Sequence, residues 1–439
     1  MPFELPLLAD AVEIDAWTQI VRFWSFQDRA VQTAVAGIFL LGISSGTLGC
    51  FIVLRRLSLL GDSLGHAVLP GVCLGFMVTW TKDPWWIMAG AVASALLGSW
   101  LIGVIHTHSR LKPDVSMGLV LSGFFGVGTV LLTRLQNFRA GNQSGLNQFL
   151  FGQASAISER DLWFMGAISV VIVGCVLATF KELVLTSFDE GFAIALGLPV
   201  RSLHYLLMTL TALAVVISIQ AVGVVLVSAM LITPAAAALL CTDRMRNMVV
   251  LAVVFATGAG VLGMNLSFLA HGLPSGPFIV LTLSGVFIGA FLFSRRYGVV
   301  ARAARHWRRS RRTQRENGLK SVYLALASAS AEQGVGIAHL AAFRRETTRQ
   351  AHKIARMLAR YGWARIERNV VFLTERGQIR ARELDRNYRL WELFLTQEVN
   401  LPHDHTQRDA ENIEHILGPE LVRELEEKYD TQRHVEPSH

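Results

Sequence analysis

The feature that most restricts this chain is a series of apolar stretches, each about twenty residues long, that fills its first two thirds. About 20 apolar residues in a helix cross a hydrocarbon layer of about 30 Å, and only helices or closed barrels satisfy their backbone there. The stretches fall near 31–53, 60–80, 85–107, 116–135, 162–181, 202–219, 221–241, 247–270 and 275–294. That makes nine spans. The break "SIQAVG" at 218–223 is weak and also suits an unwound or re-entrant turn, which lowers the count to eight. A chain of 439 residues with 52% hydrophobic and 17% charged residues fits the same class.

Orientation follows from the cations, which collect in cytoplasmic loops. Arg55-Arg56, "HSRLKPD", the loop from Lys181 to Arg201, "TDRMR" and the basic run after the last span fall on one side. The loops "TKDPWW" and "HGLPSG" on the other side are short and nearly free of cations, while 136–161 carries Arg139 and Arg160 and fits less well. The expected location is a cell inner membrane, multi-pass, with the C-terminus cytoplasmic. Residues 1–29 contain "IDAWTQIVRFWSF", the aromatic and basic mixture of an interfacial helix.

Between Arg295 and Lys320 stand ten Arg or Lys residues against one acid, Glu316, so 296–320 reads as a basic linker touching anionic lipid. Beyond it no stretch is long enough to span. The segment 346–377 has a helical apolar period at Ile354, Met357 and Leu358, a glycine stop at Gly362 and two short strands around Arg368-Asn369. Helix, turn, helix and a two-stranded wing is the economical reading for 321–380, followed by amphipathic helices in 381–439. The expected fold is therefore mainly α: a polytopic membrane bundle over 30–295, then a soluble winged-helix and helical region.

Four cysteines, Cys50, Cys73, Cys175 and Cys241, sit in or beside apolar runs, which excludes a disulfide scaffold and a Cys-x-x-Cys metal site. No phosphate loop Gly-x-x-x-x-Gly-Lys-Ser/Thr is present, so any ATP hydrolysis belongs to a separate polypeptide. The chain is not expected to be an enzyme; His-Glu-x-x-His is missing as well.

Against this background "RRLSLLGDSLGHAVLPG" (55–71) places Asp62 and His66 four residues apart in an apolar run. At that spacing both side chains leave one face of a helix. Carboxylate and imidazole suit first-row divalent metals, and an ionisable pair in a membrane span carries a functional suspicion by default. The residues alone leave two readings open: metal ligands, or an Asp62 that caps the span near Gly61 and bonds His66. Asn265 and Met230 are weaker candidates, since Asn more often bonds between helices and Met fills gaps. Pro234 is expected to break or kink the seventh span.

A second motif, "FDEGFAIALGLPV" (188–200), combines acids at its start, an apolar helical face and a Gly-Leu-Pro stop. Its shape suits a groove on another protein. Phe188, Asp189, Glu190, Ala195, Gly197, Leu198 and Pro199 are its candidate contact residues.

Together with "AVGVVLVSAMLITPAAAA" (221–238) and "LPSGPFIVL" (273–281), these segments resemble the permease subunits of manganese, zinc and iron importers of the ATP-binding cassette class, the ABC-3 family. The likeness covers roughly 30–295 in order. It implies that Asp62 and His66 line the metal pathway between two permease subunits, identical or paralogous, and that 188–199 couples to a cytoplasmic ATPase dimer. It also implies an extracytoplasmic metal-binding protein that delivers the ion. No resident cofactor is expected; a divalent Mn, Zn or Fe ion is the cargo.

The tail resembles the diphtheria-toxin-repressor family of metalloregulators, on "YRLWELFLTQEVNLPHDHTQRDAENIEHILGPEL" (388–421). Glu411, Glu414 and His415 match that family's ligand set, at a helical spacing that gathers them on one face. Tyr388 stands where a ligand histidine is usual, and "SVYLALASA" lacks the carboxylates of the manganese-type members, so a degenerate site is implied. His403, Asp404 and His405 form a further small cluster. Arg344, Arg345, Arg349, Lys353 and Arg356 surround the recognition-helix position and would meet phosphates, although membrane tethering argues against DNA as a partner. A membrane-anchored, metal-responsive transcription regulator is the alternative function.

Overall fold

The computed structural model describes residues 16–80, 84–137, 157–224, 226–269, 274–328 and 334–397, together with Arg423 and Glu427. The chain divides into two compact units, Met1–Arg302 and Ala303–His439.

In the first unit a short helix α1 (Ala16–Trp24) precedes α2 (Arg29–Leu54), α3 (Leu60–Thr79), α4 (Pro84–His108), α5 (Pro113–Asn137) and α6 (Glu159–Ala178). Two short helices, α7 (Phe180–Phe188) and α8 (Glu190–Ala195), lead into α9 (Val200–Val222), α10 (Val227–Cys241), α11 (Met245–Phe268) and α12 (Ser275–Phe293). Eight of these are long and apolar enough to cross a membrane, among the described residues. The remaining apolar stretch, 221–241, forms α10, whose 15 residues reach only about 22 Å at 1.5 Å per residue. It is cut short at Gly223, which ends α9 with a φ of 86° that favours glycine. Pro234, expected to break or kink this stretch, lies inside α10 without ending it; membrane helices tolerate proline where neighbours satisfy the freed backbone group.

Glycines set the closest helix contacts. Gly42 lies against Thr257 and Gly46 against Val253, so α11 runs antiparallel to α2. Gly49 abuts Leu231 and Ala235 of α10, and Gly75 of α3 meets Trp86 and Ile87 of α4. At one end of the bundle the Ser294 hydroxyl donates to Leu240 O, and Arg296 pairs with Asp243. Antiparallel packing brings the start of α11 to the end of α2, so Arg55-Arg56, the α10–α11 loop and the basic residues after α12 share that end. In α1, Phe23 is fully buried and packs on Phe268, while Val21 and Trp24, and Phe26 just after the helix, stay exposed.

The second unit holds most of α13 (Val299–Ser328), then β1 (Val335–Gly336), α14 (Ile337–Phe343), α15 (Thr348–Arg360), β2 (Ala364–Glu367), β3 (Val370–Leu373) and α16 (Glu375–Gln397). The basic run expected as a linker is the N-terminal part of α13, a continuous helix because Ala and Arg favour helix and no glycine intervenes before Gly318. Its other end enters the core through Leu319, Val322 and Ala325. The three strands pair antiparallel in the order β1-β3-β2. Arg368 and Asn369, both left-handed, form the tight hairpin of the wing, and Gly362 at φ 71° follows α15 where the glycine stop was expected. The winged helix is thus present.

Candidate metal pathway and coupling segment

Between Leu60 and Cys73 every residue of α3 is buried except Asp62 and His66, which are half-exposed. The pair therefore forms the open stripe of a helix segment otherwise packed on all sides. α3 starts without a side-chain cap, and His66 Nδ1 is buried with no hydrogen-bond partner. Helix capping accordingly does not account for Asp62, nor does an intrahelical bond through Nδ1 account for His66. The His66 ring meets Phe125 of α5 edge-on, with 4.9 Å between centroids.

The interruption between α9 and α10 lies beside this stripe. A Cβ built on Gly65 would stand 3.3 Å from the Val224 carbonyl oxygen, and one on Gly61 3.2 Å from Ser228 Cα. Gly61 and Gly65 thus let the broken segment press against the turn that carries both polar side chains. Among the described residues no cluster of three or more His, Cys, Asp or Glu is placed to hold a metal ion. Asp62 and His66 offer a carboxylate and an imidazole from one open stripe of α3.

Met230 is fully buried, a packing residue beside Gly260, while the Asn265 amide nitrogen is buried without a partner. The stretch Gly42-Ile43-Ser44-Ser45-Gly46 spells Gly-x-Ser-x-Gly, yet it lies inside α2, and the Ser44 hydroxyl bonds Leu40 O and Ser169. A strand-to-helix elbow that would expose a nucleophile is not formed there.

In the second motif Asp189 is the N-cap of α8, accepting the Phe192 N–H at 2.9 Å. The helix closes after six residues: Gly197, at φ 76°, donates to Ile194 O, and the Leu198 N–H reaches back to Ala193 O at 3.1 Å. This is the Schellman arrangement that glycine at the left-handed position allows. Pro199 is then the N-cap residue of α9. Phe188, Glu190 and Ala195 are exposed; Leu198 is half-buried. Phe192, Ile194 and Leu196, each more than half exposed, form an apolar patch that the sequence reading did not single out. Hexapeptide length and the short loop turn them outward, and that follows from the caps rather than from any helical period.

Arg55 was also missed as a site residue. From the end of α2 its guanidinium donates to Thr186 Oγ1 at 2.5 Å and Ser187 Oγ at 3.1 Å, at the C-terminal end of α7. Burial lowers the Arg55 pKa, and the Glu190 carboxylate works against that shift.

In the second unit Arg349, Lys353 and Arg356 are exposed along α15, with Arg345 exposed in the preceding turn. Arg344 is turned inward, donating to Ser321 Oγ at 2.6 Å and pairing with Glu346 at 2.9 Å. The Tyr388 ring stacks under the Lys320 ammonium, 3.4 Å from its centroid. Glu411, Glu414, His415 and the 403–405 cluster lie outside the described residues.

The ABC 3 transport family model matches residues 27–294, more than half of the chain. The chain belongs to the ABC 3 transport family. Among relatives of this ABC-3 protein, the manganese transport system membrane protein MntC of Bacillus subtilis is 43% identical over 297 residues, 68% of either chain. The zinc transport system membrane protein TroC of Treponema pallidum is 38% identical over 286 residues, which take in 95% of that protein and 65% of this one. PsaBC from Streptococcus pneumoniae, solved in complex with Fab, superposes with a TM-score of 0.57 at 34% identity, covering 64% of this chain and 97% of that chain. A second family model, the iron dependent repressor metal binding and dimerisation domain, matches residues 374–436. The ABC-3 protein is thus a multi-pass membrane chain that carries a metalloregulator-like C-terminal domain.

Proposed function

We propose that this chain is the membrane-spanning subunit of an ATP-driven importer for a divalent first-row metal: Mn, Zn or Fe. The observation that carries the reading is the pair of donors on α3, Asp62 and His66, left open on a segment that is otherwise buried. The manganese and zinc transport relatives support the cargo class. A second permease subunit facing the stripe would bring its own donors, completing a transient ligand shell while the ion is dehydrated. An extracytoplasmic binding protein delivers the ion, and a separate ATPase dimer drives the cycle through the exposed patch of 188–198. The shared end of the bundle that gathers Arg55-Arg56 and Arg295-Arg296 is cytoplasmic, following the cation excess, and the protein resides in the inner membrane. Residues 303–439 then form a cytoplasmic regulatory domain, with Glu411, Glu414 and His415 as the remnant of a degenerate metal site and the basic face of α13 on anionic lipid.

The test is metal uptake into vesicles reconstituted with this chain, its ATPase and its binding protein, with Mn, Zn and Fe in competition. Asp62→Ala and His66→Ala are each expected to abolish uptake at normal membrane expression. Uptake at the parental rate in both variants overturns the assignment. A second reading, a membrane-anchored metal-responsive transcription regulator, draws on the exposed Arg349, Lys353 and Arg356; the open donor pair inside the bundle has no part in it.

A further inference from the structure

We infer that Arg55 is a positioning residue that ties the ATPase-facing segment to the metal-carrying helix, so that displacement of α7–α8 is delivered to Asp62. The inference rests on the reading of 188–198 as the ATPase contact.

Arg55 ends α2 and reaches two acceptors on one turn of α7, Thr186 and Ser187. Both hydroxyls donate their own protons to their helix, Thr186 to Glu182 O at 2.9 Å and Ser187 to Leu183 O at 2.6 Å. Their lone pairs are therefore fixed toward the guanidinium, an acceptor-only role that suits a five-donor fork. Thr186 is buried and Arg55 half-buried, so water competes poorly for these bonds. Two residues beyond the latch lies Asp189, the N-cap of α8, and Glu190 is near enough for its charge to act on Arg55. At the other end of α7 the Phe180 ring packs edge-on against Phe51 of α2, 6.1 Å between centroids. α7 is thus held to α2 at two points.

The connection from Arg55 to Asp62 is short and hydrogen-bonded at several of its backbone N–H groups. Arg56 N–H bonds Val53 O at 3.1 Å and Leu57 N–H bonds Ile52 O at 3.0 Å, closing α2 in a Schellman cap. Leu60 N–H then bonds Leu57 O, and Ser63 N–H bonds Leu59 O. The Ser63 hydroxyl bonds Met117 O of α5 at 3.0 Å, which draws in the helix that presents Phe125 to His66. A push on α7–α8 is carried through Arg55 into a turn closed by the Arg56, Leu57 and Leu60 N–H bonds, and arrives at the first turn of α3. A neutral side chain of similar length at 55 would leave each end intact and cut the link between them.

The experiment uses the full transporter, this chain with its ATPase and binding protein in proteoliposomes, carrying Arg55→Met or, from the other side of the latch, the pair Thr186→Val and Ser187→Ala. Co-purification of the ATPase, ATP hydrolysis and metal uptake are measured on each. The ATPase is expected to remain bound and active while metal moved per ATP falls roughly 5- to 150-fold, the span over which coupling between two sites ranges. Arg55→Lys, which keeps the charge without the fork, is expected to restore only part of the ratio. Unchanged metal per ATP in both latch variants overturns the inference, as does loss of the ATPase from both, which would make Arg55 a docking support. Phe192→Asp separates the underlying reading: a chain carrying it that still holds the ATPase removes 188–198 as the contact, whatever Arg55 does.

Discussion

Arg56 holds a left-handed backbone, φ 58°, at the position of a Schellman cap where glycine is the usual occupant. The side chain is exposed and forms no part of the latch. A non-glycine residue in this region costs roughly 1–2 kcal/mol, so Arg56→Gly is expected to raise the thermal midpoint of the detergent-solubilised chain. Part of that gain is offset, since glycine frees the unfolded chain as well. A lowered midpoint would show that the Arg56 side chain contributes more than its conformation costs. At this scale the sequence was legible where chemistry contrasted with its surroundings: Asp62 and His66 stand out because their neighbours are apolar. Arg55 did not stand out, because a basic pair at the end of a span looks like an ordinary orientation signal and its acceptors lie more than 130 residues away. Arg344 misled in the opposite way, since a cation beside other cations gives no sign that its partners are Ser321 and Glu346.

The helices pair through glycines whose spacing the sequence displays but whose partners it conceals. Gly42, Gly46 and Gly49 recur at intervals of four and three on α2, and the first two meet α11 while the third meets α10. Without a hydrophobic drive between helices in lipid, such close approach supplies the packing energy. A methyl group at Gly46 would stand 2.8 Å from the Val253 nitrogen and 2.9 Å from its Cα, both backbone atoms unable to swing aside. Gly46→Ala is therefore expected to destabilise the bundle by about 1–3 kcal/mol, as overpacking does elsewhere. Thermal unfolding followed by intrinsic fluorescence checks this, with Gly118→Ala, whose added methyl meets nothing within 4 Å, as the neutral comparison. Run length made eight of the spans readable. The stretch at 221–241 was harder, because length and hydropathy count residues and are insensitive to a single left-handed glycine such as Gly223 that resets where a helix begins.

At the level of the whole molecule the chain carries two hydrophobic cores, one within the bundle and one formed by α13–α16 and the small sheet. The second core is small, and polar contacts on its flank bear much of the fastening. Glu316 of α13 is almost wholly buried and takes Arg380 of α16 at 2.7 Å and Arg312 at 3.3 Å. Arg380 in turn pairs with Glu383 at 2.9 Å. Removing one partner of a buried pair leaves the other charge uncompensated and costs about 3–5 kcal/mol, a large share of the 5–15 kcal/mol that holds a typical domain together. Because Arg380 is a third exposed and keeps Glu383, the lower end of that range is expected for Glu316→Ala. The loss should fall on one unit: limited proteolysis across a temperature series is expected to cleave within 303–397 at lower temperature than in the parent, with the bundle fragment unaltered. Parallel loss of both fragments would mean that the bundle depends on the second unit for its stability, and that the two cores melt as one.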